Sequence, residues 1–148
     1  MTDAGGTNSI PDYDSVVEGT ELPEVRTRVS RADLIRYCGA SGDFNVIHWN
    51  ERSARSVGLP DVIAHGMLTM ATAVRIVTDW TGDPSAVAEF AVRFSRPVPV
   101  PDDDEGSELV ISARVAKKLP DSRVRVDIVA RCGPDKVLSM ARAVVVLP

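Results

Sequence analysis

The chain has 148 residues, 44% of them apolar and 26% charged, with a net charge of −4. That size allows one domain burying roughly 70% of its unfolded surface, and the composition excludes a disordered polymer. Scattered Lys and Arg argue against nucleic acid, no run approaches the roughly 18 apolar residues of a membrane span, and Cys38 and Cys132 are too few for a disulfide framework or a zinc site.

These limits point to a cytoplasmic protein that acts on a small molecule or on another protein, with both cysteines serving as small apolar residues. Residues 1–10 are small and polar and read as a disordered tail, leaving residues 11–148 as the domain. Residues 21–29 alternate as a strand, with Pro23 placing its start near an edge. Ser30, followed three residues later by Asp33, is an N-cap signal for a helix that ends at residues 39–42. Residues 43–50 form a loop, and residues 51–57 form a short helix closed by Gly58 and Pro60.

From Ala64 or His65 to about Trp80 runs the longest helical pattern, apolar on more than one face and so expected to be wrapped by other structure. Met67 and Met70 read as core residues within it. After Gly82-Asp83-Pro84 the period changes from 3.6 to 2. Strands are expected at residues 89–98, 107–118, 123–132 and 136–147, with an acidic turn at 102–106 and a Gly133-Pro134-Asp135 turn. Val124, Val126, Ile128 and Ala130 alternate with Arg123, Arg125, Asp127 and Arg131, which gives one buried and one wet sheet face. The element order is α+β, an antiparallel sheet packed around one dominant helix.

Chemistry is concentrated in residues 37–70, YCGASGDFNVIHWNERSARSVGLPDVIAHGMLTM, which hold both histidines. Asp43 and His48 lie in a short polar stretch where a carboxylate and an imidazole can converge on one small molecule, most simply a water. Gly66 opens the long helix, whose free first-turn N–H groups and positive dipole end suit a developing oxyanion. Asn45 reads as a loop former, and His65 as a cap or packing residue. No metal-ligand cluster or dinucleotide fingerprint is visible, so neither metal nor cofactor is expected.

The run Tyr37, Ser41-Gly42-Asp43-Phe44-Asn45-Val46-Ile47-His48, with Ala54 beyond it, resembles the motif of the MaoC-like or hydratase-2 family of hot-dog proteins. Val46 stands where that family usually has proline. Further along, GLPDVIAHGMLTM, Trp80-x-Gly82-Asp83-Pro84 and RFSRPVPVP look like the B subunits of mycobacterial-type (3R)-hydroxyacyl-ACP dehydratases. The resemblance implies a hot-dog fold and reversible dehydration of a (3R)-hydroxyacyl thioester in fatty-acid or mycolic-acid elongation. Asp43 and His48 would handle the water or leaving hydroxyl, the Gly66 N–H would bind the thioester oxygen, and Asn45 and His65 would support them. It also implies an acyl carrier protein as carrier and a related hot-dog chain as partner in a heterodimer. The rival reading is an (R)-specific enoyl-CoA hydratase working as a homodimer. Hot-dog thioesterases generally lack this loop, and a noncatalytic subunit would not need both Asp43 and His48.

Overall fold

The computed structural model describes residues 10–148, so the expected tail, apart from Ile10, lies outside the described residues. Strand β1 (Val25–Val29) leads into helix α1 (Arg31–Ser41), α2 (Glu51–Ser56) and the long α3 (Gly66–Thr81). Strands β2 (Val87–Phe94), β3 (Ser107–Leu119), β4 (Arg123–Cys132) and β5 (Asp135–Val146) follow. All pairings are antiparallel in the order β1-β3-β4-β5-β2, so β1 and β2 are the edges. Helix α3 packs against β2, β3, β4 and β5, which is the expected α+β hot-dog arrangement.

Local chemistry explains most boundaries. Ser30 Oγ accepts from the Asp33 N–H while the Asp33 carboxylate accepts from the Ser30 N–H at 2.9 Å, a reciprocal cap that starts α1. Gly42 at φ 74° and Gly82 at φ 67° take the left-handed conformation that ends α1 and α3. On β4 the residues Val124, Val126, Ile128 and Ala130 are buried. The opposite face carries a row in which Asp127 stands between Arg114 and Arg142 in register, with Arg125 Nε 3.1 Å from its carboxylate. The buried and wet faces are therefore as the alternation requires.

Three expectations need correction. Strand β1 starts at Val25 instead of residue 21, because Pro23 has no N–H for a ladder, although Glu21 makes one isolated bridge to Arg114. Strand β2 stops at Phe94 instead of residue 98. The Ser95 and Arg96 N–H groups turn to the Val137 carbonyl at 3.0 and 3.5 Å, Pro97 cannot continue the ladder, and the chain then crosses to residues 62–64. There Ala64 N–H donates to the Val98 carbonyl at 2.9 Å and Val100 N–H to the Val62 carbonyl at 2.8 Å.

Helix α3 is wrapped as expected except along one exposed stripe. Thr69, Ala73, Ile76, Val77 and Thr81 are buried, whereas Ala71, Arg75 and Asp79 face outward and Met67 is 57% exposed rather than core. Its apolar composition exceeds what one sheet covers. Of the two thiols, Cys38 is buried, while Cys132 is half-buried with its ionisation pushed up by that burial.

Candidate active site

The residues between α1 and α2 are folded by their own side chains. After the Gly42 turn, Ser41 Oγ accepts from the Asp43 N–H at 3.1 Å, and Asp43 Oδ1 accepts from the Asn45 N–H at 3.1 Å. Asn45 Oδ1 accepts from the Ile47 N–H at 3.3 Å and opens a 3-10 turn over Val46–His48. Asn45 thus holds the loop, as its residue type suggests. Asn50 then caps α2 through the Ser53 N–H at 3.0 Å.

This loop brings His48 over the interior. Its Nδ1 lies 2.7 Å from the Ile63 carbonyl, an acceptor, so Nδ1 carries the proton and donates. The other ring nitrogen, Nε2, is left with a free lone pair, and it faces Asp43 Oδ2 at 3.9 Å. His48 is buried while the Asp43 side chain is 52% exposed, so the pair spans the boundary between core and cleft. A gap of 3.9 Å is too long for a direct hydrogen bond and short enough for both groups to hold one oxygen between them.

His65 occupies the N-cap position of α3 without capping it through its side chain. It is a packing residue, 1% exposed, stacked on His48 with ring centroids 3.8 Å apart and backed by Tyr37 at 4.7 Å. Its Nε2 lies 3.1 Å from the Asp43 backbone carbonyl and 3.5 Å from Cys38 Sγ. The carbonyl requires a donor, so Nε2 is protonated and donates. Burial, reinforced by His48 nearby, pushes the ionisation of His65 down despite the Asp43 carbonyl, and the ring stays neutral.

Asp43, His48 and His65 bring three potential ligand atoms within 4.8 Å of one another. A zinc site needs two imidazole lone pairs aimed at one ion about 2.0–2.1 Å away. Stacked rings direct their in-plane lone pairs along nearly parallel planes, and His65 Nε2 is already engaged. The Asp43–His48 pair suits proton exchange, and a shared ion would have to use the His65 Nδ1 lone pair, which is buried without a hydrogen-bond partner among the described residues.

Next to the pair, a cleft of about 300 Å³ is lined by His48, Gly66, Thr69, Phe94, Val98 and Leu138 among others. Because His65 offers no side-chain cap, the first amides of α3 open toward this end of the helix. Gly66 has a specific packing reason: a Cβ there would meet the Phe94 ring at 3.1–3.3 Å. The glycine therefore makes room for the Phe94 ring. Sequence reasoning missed Phe94, Ile63 and Arg96 as cleft residues. The RFSRPVPVP segment was the available signal, but its approach to α3 depends on the crossing at Pro97.

An antiparallel sheet wrapped around one long central helix is the hot-dog arrangement. The chain belongs to the MaoC-like domain family, whose model matches residues 14–130. It is 39% identical over 79 residues to the 3-hydroxyacyl-thioester dehydratase X of Mycobacterium tuberculosis, a match covering 53% of this chain and 27% of that protein. A solved MaoC-like dehydratase is 40% identical with a TM-score of 0.90, covering 95% of this chain and 43% of that one. The unliganded R-hydratase PhaJ1 of Pseudomonas aeruginosa is 27% identical with a TM-score of 0.80, covering 95% of this chain and 86% of that one. The chain spans less than half the length of the first two. Among its described residues no helix is long and apolar enough to cross a membrane.

Proposed function

We propose that the chain is a hydro-lyase that interconverts (3R)-hydroxyacyl and trans-2-enoyl thioesters. The observation that carries this reading is the His48 Nε2 to Asp43 Oδ2 separation of 3.9 Å, with the tautomer of His48 fixed from behind by the Ile63 carbonyl. In hydration, a water held between the two groups loses a proton to one of them as its oxygen attacks the β-carbon. The α-carbon is then protonated from the pair. The Gly66 N–H stabilises the enolate-like thioester oxygen, and loss of such a donor typically costs about 3–4 kcal/mol of barrier. Family membership and the dehydratase and hydratase names of the relatives support the reaction class.

The finer reading is dehydration on acyl carrier protein in fatty-acid or mycolic-acid elongation, with this chain as the catalytic, B-type subunit in the cytoplasm. It is supported by the GLPDVIAHGMLTM and RFSRPVPVP segments. The second reading, a CoA-dependent (R)-hydratase, is supported by the 27% identity to PhaJ1 over nearly the whole chain. Either reading favours a second hot-dog chain, related in the first case and identical in the second. Edge strand β2 has one unpaired side, and Phe44, Val46, Trp49, Met67 and Phe94 are exposed around the site.

The test is enoyl absorbance with crotonyl and longer enoyl thioesters, on CoA and on carrier protein, for the purified chain alone and co-expressed with candidate hot-dog partners. Reversible loss of the enoyl band supports the reaction. Free thiol released without hydration would instead identify a thioesterase. A heterodimer with higher long-chain activity supports the first reading, and a fully active homodimer the second.

A further inference from the structure

Besides His48, the catalytic cleft has one ionisable wall residue, Arg96. Its backbone is fixed, since the Ser95 and Arg96 N–H groups share the Val137 carbonyl and Pro97 follows directly. Its side chain is exposed and makes no hydrogen bond or ion pair to any described residue. Arg93 near the end of β2 and Lys136 at the start of β5 are also exposed and equally unpaired.

Only Arg96 lines the His48 cleft, since Lys136 lines a separate groove with Arg114, Arg125, Asp127 and Arg142. Arg93 is in register with Ser139, Phe94 is in register with Leu138, and Ser95 Oγ donates to the Lys136 carbonyl at 2.8 Å. In a chain of net charge −4, Arg96 places a positive charge on the wall of the cleft that His48 lines. Such a local field raises the concentration of an anion at the mouth.

The rest of the cleft is mostly apolar, with Ile63, Pro97, Val98, Val137 and Leu138 in its wall beside the polar Thr69 and Ser95. A fitting ligand therefore has an apolar portion inside and an anionic portion at the rim. We propose that Arg96 binds the phosphate of the pantetheine arm on which the acyl thioester is delivered. This rests on the thioester reading above and names a contact shared by CoA and by carrier-protein substrates. The planar guanidinium presents two parallel N–H donors to phosphate oxygens, a geometry that lysine does not reproduce.

The test compares crotonyl-pantetheine, crotonyl-4′-phosphopantetheine, crotonyl-CoA and crotonyl-carrier protein as substrates of the full chain in the oligomer it forms. The wild type is expected to prefer phosphopantetheine over pantetheine in kcat/KM. Arg96→Gln should reduce that preference about tenfold, chiefly through KM, with an equal factor on CoA and carrier protein and partial recovery in Arg96→Lys. An unchanged preference in Arg96→Gln overturns the proposal. A loss confined to CoA, or to carrier protein, also overturns it, because the contact then belongs to the nucleotide or to the carrier's own surface.

If no thioester is hydrated, the hydro-lyase reading fails, and calorimetry with free 4′-phosphopantetheine against pantetheine still decides the phosphate contact. Tighter binding of the phosphorylated form that Arg96→Gln abolishes supports it. Equal affinity for the two overturns it.

Discussion

His48 and His65 lie face to face, with ring centroids 3.8 Å apart and planes inclined by 22°. One ring is fully buried and neutral, and it fixes the plane of the other while its Nε2–H holds the Asp43 backbone. The two proposed catalytic groups are thus positioned by a single residue that need not touch substrate.

This stack makes stability pH-dependent. The ionisation of His65 is lowered in the folded state, chiefly by burial. Above about pH 6.5 both folded and unfolded chains carry it neutral. As pH falls below that value the unfolded chain takes up the proton first, so folding stability declines until the folded-state value is passed. His65→Phe keeps an aromatic ring and cannot titrate. It should flatten the fall in melting temperature on the acid side of 6.5, a window well above that of Asp33 and Asp83, which titrate below 3.8. An unaltered slope in the variant would assign the acid sensitivity to another group.

Asp43→Asn should lower hydration at least about 10²-fold, the lower range for a lost acid/base group, with little change in melting because its carboxylate is half exposed. His48→Asn should lose as much activity. It should also lose about 1 kcal/mol of stability, since it gives up the bond to the Ile63 carbonyl and the stack on His65. Near-normal turnover in either variant would remove the catalytic assignment.

Gly66→Ala tests the oxyanion site together with Phe94. The added methyl crowds the Phe94 ring at 3.1–3.3 Å. If crowding is the whole effect, Phe94→Leu should restore the Gly66→Ala rate. If the amide's approach to substrate is blocked, the double variant should remain slow, and steady-state kinetics on one short enoyl thioester separate the outcomes.

Arg31 ties four segments together. Its guanidinium meets Asp61, Glu51 at 3.0 Å, Asp102 at 3.9 Å and the Val100 carbonyl at 3.1 Å. Because Arg31 and Asp61 are mostly shielded from solvent, Arg31→Ala should cost about 1–3 kcal/mol in urea unfolding. A change within the noise would mean that the network is fully screened.

Val46→Pro should stabilise by about 0.4–1 kcal/mol. Val46 opens a 3-10 turn, and Asn45 before it has ψ 126°, which a following proline tolerates. Loss of stability on thermal melting would show that the loop needs the Val46 N–H or a different φ.

Features carried by neighbouring residues were legible in the sequence: the Ser30–Asp33 cap, the glycine stops at Gly42 and Gly82, and the alternation of β4. The Asp43–His48 pairing was legible too, because the loop between them folds through its own side chains. The His48–His65 stack was not, since it joins two elements with no common period. Phe94 lies within the expected strand 89–98, but its contact with Gly66 arises where β2 ends. The exposure of Met67 escaped the reading because apolar periodicity reports how many faces a helix offers, not how many are covered within one chain.

Ile63 has a double attachment. Its N–H donates to the Ile47 carbonyl at 3.1 Å and its own carbonyl receives the His48 Nδ1 proton, while the same short segment is laced to residues 98–100 of the cleft wall. A bulky acyl chain that pushed this wall outward would drag the carbonyl away from His48. In the proposed mechanism the imidazole would then be free to move its proton to Nε2, leaving no lone pair toward the water. Under that proposal, tolerance for large substrates and fidelity of proton delivery are one mechanical property, and widening the cleft should slow the chemistry unless the wall is braced from outside.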